Sequence, residues 1–241
     1  MLPRTYINPP DHWVTQPALP YSQAVRCGEL LFITGQVALD KALQVIAPGN
    51  LPGQISAAMG DLCSVLDAAD MVPSDLVQLR AFYVDESTSS SETVAKRIAH
   101  AMEPLAGPGP ALTLVPVQAL MSPDVLFEVE AIAMRSHNAQ ALARTAAWDP
   151  SWHGPPAPFS HALRVGEMCF TSGVTAQSHG FIEAPKDLTG QSHIVLRRLD
   201  ALLRQLGADI NDTVKTNLFN VEPGNTQDWA APALARGSYY T

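Results

Sequence analysis

PYSQAVRCGELLFITGQVA occupies residues 20–38, and PFSHALRVGEMCFTSGVTA occupies residues 158–176. The two align without a gap at a spacing of 138, sharing Ser22/Ser160, Ala24/Ala162, Gly28/Gly166, Glu29/Glu167, Phe32/Phe170 and Gly35/Gly173. The correspondence continues at a spacing of 137. LPGQ at 51–54 is matched by LTGQ at 188–191, and Asp75, Val77, Phe82 and Val84 by Asp212, Val214, Phe219 and Val221. An ordered series of this kind is an internal duplication, and its period is far too long for a solenoid, so each copy is read as a domain. The expected division is residues 1–134 for the first domain, 135–157 for a Pro- and Gly-bearing connector, and 158–241 for the second. Trp148 and Trp152 would be wasted in a free tether, so part of the connector is expected to pack.

Within copy one, residues 23–37 read as a hairpin turning at Arg26–Cys27–Gly28–Glu29, where Gly28 supplies the positive φ. Ile55, Met59, Leu62, Val65, Leu66 and Ala69 recur at helical spacing, which predicts a helix over 54–70 with one buried face. Residues 76–85 are rich in branched and aromatic side chains and predict a strand. Residues 91–105 follow as a helix capped by Ser90 or Ser91, then two last strands at 111–117 and 125–134. The order is β-β-α-β-α-β-β, an α+β sheet with its helices on one face. Copy two repeats it as a hairpin, a helix over 188–206 closed by Gly207, a strand over 212–221 and a helical stretch over 226–236. The counterparts of copy one's last two strands would fall beyond residue 241, so the second domain is expected to be incomplete in this sequence.

Composition narrows the function classes. With 46% hydrophobic and 16% charged residues, a buried core is well supplied and wholesale disorder excluded. Fifteen Lys+Arg against 23 Asp+Glu give a net charge of −8, which argues against a nucleic-acid partner. Cys27, Cys63 and Cys169 are odd in number and widely spaced, so neither a disulfide framework nor a zinc ribbon is expected. The first residues lack the apolar core of a signal peptide, and no stretch approaches the roughly 18 apolar residues of a membrane span. A cytoplasmic protein without membrane partner, metal or cofactor is the expectation.

PYSQAV, FITGQ, DLVQLRAFYVD and FEVEAIA, in this order, resemble the YjgF/RidA family of enamine/imine deaminases, whose older label is endoribonuclease L-PSP. The resemblance covers about residues 15–134 well and 155–241 in part. It implies two tandem chorismate-mutase-like (RidA-like) domains, a small-molecule substrate bound in clefts between units, and a homo-oligomer, either pseudo-trimeric or a dimer of tandem chains. Cover for an apolar sheet face opposite the helices points to an oligomer independently.

The resemblance also implies roles. The family's E-x-E-A glutamate falls on Glu128, expected to activate the water that attacks an imine carbon. Glu130 shares its strand face. The family's pocket tyrosine falls on Tyr21, with Phe159 at its place in copy two; the pocket serine falls on Thr34 and Ser172, beside Gly35 and Gly173. The family's Pro-Ala-Arg reads Pro110-Ala111-Leu112, so the guanidinium that would grip a substrate carboxylate is absent from copy one. His161 replaces Gln23 and is expected at the surface. The function expected is cofactor-free hydrolysis of a small enamine or imine, a hydrolase acting on a C–N bond. The alternative is a non-catalytic ligand-binding or scaffolding protein; RNA cleavage has only the old label behind it.

Overall fold

The structure is a computed structural model that describes residues 3–15, 19–84, 90–105, 107–136, 138, 140–220 and 227–240. Three ends of predicted elements, Asp85, Val221 and Thr226, lie outside those residues.

Copy one forms a six-stranded sheet. Its strands are β1 (Arg4–Ile7), β2 (Ala24–Cys27), β3 (Leu30–Val37), β4 (Leu76–Val84), β5 (Ala111–Val117) and β6 (Phe127–Met134), in the order β1-β2-β3-β6-β4-β5. Only β4 and β5 run parallel. Gly28 closes the β2–β3 hairpin at φ 62°. Helix α1 (Leu51–Ala68) starts where Asn50 accepts from the Gly53 N–H, and α2 (Ser91–Ala101) where Ser90 accepts from the Thr93 N–H. The second helix ends four residues before the sequence suggested. Both lie on one face of the sheet. The residues of β4 and β6 that face them (Leu79, Ala81 and Tyr83; Phe127, Val129, Ala131 and Ala133) alternate with half-exposed ones, the period of two that a one-sided sheet requires. Fully buried Gln54 ties α1 to the chain before β6: its Nε2 donates to the Asp124 carbonyl and its Oε1 accepts from the Leu126 N–H, both at 2.7 Å.

The opposite sheet face is not the apolar surface expected. It presents Gln78, Arg80, Glu128 and Glu130 among Phe32, Phe82 and Ile132, and Arg80 pairs with Glu130 at 2.7 Å across the β4–β6 register.

Copy two carries a three-stranded sheet of β7 (Arg144–Ala147), β8 (Ala162–Val165) and β9 (Met168–Thr171), a short hairpin of β10 (Gln177–Ser178) and β11 (Phe181–Ile182), and helices α3 (Leu188–Gln205) and α4 (Gln227–Gly237). Strand β7 falls in the stretch read as connector. It matches β1 in residue type and in place, Arg-Thr at the head of each and antiparallel to the hairpin that follows. Residues 213–220 form no strand, and Val214 stands 93% exposed. Their counterpart β4 lies between β6 and β5, and no such neighbours flank 213–220 among the described residues. Backbone groups without a ladder stay with solvent. Phe219 nevertheless packs edge-on against its repeat counterpart Phe82, ring centroids 5.9 Å apart.

The copies are stitched along β5. Ser160 bridges Ala111, Gly109 N–H donates to the Pro158 carbonyl, and the Ser160 hydroxyl donates to the Gly109 carbonyl at 2.8 Å. Val77, Ala111 and Met134 of copy one share an apolar cluster with Leu163, Val165 and Phe170 of copy two. This covers the start of an otherwise bare edge strand. Arg144 adds donations to the carbonyls of Ser74 and Leu76.

Candidate functional site

The ladder between β3 and β6 slips between Ile33 and Gln36, a bulge that puts Thr34 and Gly35 out of register. Gly35 leaves the room that the Glu128 carboxylate occupies, since a Cβ there would push that carboxylate aside. Just beyond, Val37 and Glu128 are register partners. A cavity of about 300 Å³ opens where β3 ends and β6 begins, its lining including Trp13, Tyr21, Gly35, Val37, Leu39, Val125 and Glu128. No Lys, Arg or His is among its described lining residues. Burial first, and the negative charge of Glu130 second, push the Glu128 carboxyl above the ordinary carboxylate range. Glu130 itself is engaged by Arg80.

The wall behind Gly35 is a buried polar chain. His12 Nε2 donates to Gln36 Oε1 at 2.7 Å, Gln36 Nε2 donates to Gln23 Oε1 at 3.1 Å, and Gln23 Nε2 donates to the Trp13 carbonyl at 3.2 Å. The Thr34 hydroxyl joins this wall, donating to the Gln23 carbonyl, rather than facing the cavity. His12, Trp13 and Gln36 escaped the sequence reading. The signal was present: Arg4–Thr5 and Arg144–Thr145, each followed by a tryptophan (Trp13, Trp152), extend the repeat upstream of the hairpins.

The remaining expected site residues gather elsewhere. Leu112 and Phe159 are 1% and 0% exposed, and both belong to the core of copy one. Ser172, 2% exposed, accepts from the Leu112 N–H at 2.8 Å while its hydroxyl donates to the Ser160 carbonyl at 2.7 Å. A Cβ at Gly173 would run into the Thr113 side chain. The sequence reading placed these four beside a ligand. The structure buries Leu112, Phe159 and Ser172 in the seam between the copies, where phenylalanine and leucine fill the space with apolar groups, and leaves Gly173 half-buried against Thr113. Leu112 is therefore not in the Glu128 cavity at all.

His161 is also buried, against expectation. It lies between Trp148 and Trp152, with ring centroids at 4.9 and 4.5 Å, and its Nδ1 accepts from the Asp149 N–H. Burial lowers its pKa, with Asp149 opposing, which fits a neutral ring. No group of three or more His, Cys, Asp or Glu side chains is placed to hold a metal ion among the described residues. A shallower groove of about 630 Å³ between α1 and α2, lined by Cys63, Lys96 and Arg97, holds none of the expected site residues.

The endoribonuclease L-PSP family model matches residues 14–135 and again 153–233. The chain belongs to the endoribonuclease L-PSP (YjgF/RidA) family. Its two family segments coincide with the two copies of the repeat. A RutC family protein of Pyrococcus horikoshii is 30% identical over 122 residues, half of this chain and 90% of that one. A 2-iminobutanoate/2-iminopropanoate deaminase of Dermatophagoides farinae is 28% identical over 82 residues, 34% of this chain and 62% of that protein. Among solved structures of this fold, Escherichia coli TdcF with bound serine aligns at a TM-score of 0.48 and 22% identity, covering 55% of this chain and 99% of TdcF. No helix of the described residues is long and apolar enough to cross a membrane.

Proposed function

We propose that the chain hydrolyses the C=N bond of a small imine, or of an enamine after tautomerisation, in the Glu128 cavity. The observation that carries the reading is a half-buried carboxyl with a raised pKa, held against a glycine and lining a mostly apolar, partly open cavity. A carboxylate so placed accepts a proton from water as the oxygen adds to the imine carbon, and returns it to nitrogen as the carbinolamine collapses. One water is consumed; a carbonyl compound and ammonia are released; no electrons are transferred. Deaminase activity in a relative's name supports the reaction class. With no cation in the described lining and apolar side chains such as Val37, Leu39, Val45 and Val125 within it, the substrate favoured is more apolar than a small amino-acid-derived imine. Copy two serves as a structural cover, its own Phe159–Ser172–Gly173 set used for packing. Phe32, 45% accessible, supports a homo-oligomer assembled through the part of the sheet face opposite the helices that copy two does not cover.

The test is release of carbonyl product from imines formed in situ by an amino-acid oxidase, with semicarbazide competing for the imine. Purified chain is expected to accelerate hydrolysis, and Glu128→Gln to remove the acceleration. Equal rates for the two proteins would refute the assignment.

A further inference from the structure

Each copy buries one tryptophan shortly after its first strand: Trp13, 8% exposed, and Trp152, 4% exposed. In copy two the indole is satisfied, since Trp152 Nε1 donates to Thr175 Oγ1 at 3.2 Å. Position 175 corresponds to position 37 within the gap-free part of the repeat, and there copy one has valine. Val37 is buried in the same apolar cluster as Trp13 and offers no acceptor. Among the described residues, the Trp13 Nε1–H is accordingly buried without a partner. Buried indole N–H groups ordinarily find one, so an orphan in a native wall calls for an explanation. Trp13 and Val37 both line the cavity that holds Glu128, whereas the paired Trp152 lies outside it.

We infer that Trp13 is a ligand-binding residue: its indole N–H is the donor kept for one acceptor oxygen of the bound molecule, a carbonyl or a single carboxylate oxygen, in a cavity without a cation. The replacement of threonine by valine at position 37 frees that donor and adds apolar surface for the rest of the ligand. The ligand class is a keto or imino compound with an aliphatic tail, one of whose acceptor oxygens takes the indole N–H. This rests on the Glu128 cavity being the working site.

The experiment uses the full chain and 4-methyl-2-oxopentanoate, a keto acid of the product class, titrated by calorimetry. Trp13→Phe keeps the ring and deletes the donor; Val37→Thr restores copy two's internal acceptor. Each is expected to weaken binding about five- to tenfold, the value of one hydrogen bond, while Trp152→Phe leaves affinity unchanged. Val37→Thr is the decisive variant, since satisfying the orphan keeps or raises the melting temperature as affinity falls. A raised melting temperature with unchanged affinity would mean the donor is only a packing defect, and would overturn the inference. So would the absence of measurable binding to the unaltered chain. Glu128→Gln separates the two readings: it is expected to keep keto-acid binding and lose turnover. Full turnover in that variant would end the hydrolytic assignment without touching the Trp13 result.

Discussion

Phe159→Ala is the sharpest probe of the seam. The residue belongs to copy two's leading stretch, yet its ring is fully buried in the core of copy one. Removing it deletes the transfer free energy of an aromatic ring and leaves a cavity bounded by a rigid sheet and two helices, a combination worth about 3–5 kcal/mol. For a chain of this size each kcal/mol moves the melting temperature by about 2–4 °C, so a fall of roughly 6–20 °C is expected. Guanidinium unfolding followed by far-ultraviolet circular dichroism reads the loss directly. Because the ring joins the copies, the transition should also broaden as the two sheets begin to unfold separately. Its repeat counterpart supplies the control: Tyr21 is 46% exposed at the cavity mouth, and Tyr21→Ala is expected to cost no more than about 0.5 kcal/mol. A loss below about 1 kcal/mol for Phe159→Ala would refute the sealed seam and reopen Phe159 as a ligand contact.

Glu128 titrates above its unfolded value, so the folded chain binds more protons between the two pKa values and stability falls as pH rises through that window. Glu128→Gln should therefore melt higher than the unaltered chain at neutral pH and show no such advantage at pH 4; an equal difference at both would contradict the raised pKa. The proton-accepting role adds a kinetic limb, with hydrolysis falling as pH drops through the same raised value. Gly35→Ala forces the flexible end of Glu128 aside rather than the backbone. It should cut turnover at least tenfold while costing less than about 2 kcal/mol in denaturation, and unaltered turnover would detach Gly35 from the site. Ser172→Ala leaves the buried Leu112 N–H without its acceptor and should cost about 1–3 kcal/mol, read from the shift in urea midpoint; no shift would mean that N–H finds another partner.

Much of the fold was legible because copy one obeys local rules. The apolar spacing of Ile55, Met59, Leu62 and Val65 predicted α1 to within three residues at its start, and the branched and aromatic side chains of residues 76–85 predicted β4. Strands β1 and β7 were missed because four residues carry too little pattern to be seen without their partners. Residues 213–220 have a strand's composition but, among the described residues, no two neighbours that would make one, since β-propensity is expressed only in a ladder. Glu128, Tyr21 and Gly35 were found by resemblance and do share a cavity. Leu112, Phe159, Ser172 and Gly173 carry the same motif signal, yet the copies face each other across them.

The order of residues thus determined that one α+β unit is written twice, where its turns and helices fall, and which carboxylate stands beside which glycine, because each depends on neighbours close along the chain or on the two-residue pitch of a strand. Which copy of the motif remains open was decided only in three dimensions. Docking the second sheet on β5 desolvates one set and leaves the other against a cavity, and that choice depends on apolar surfaces separated by half the chain.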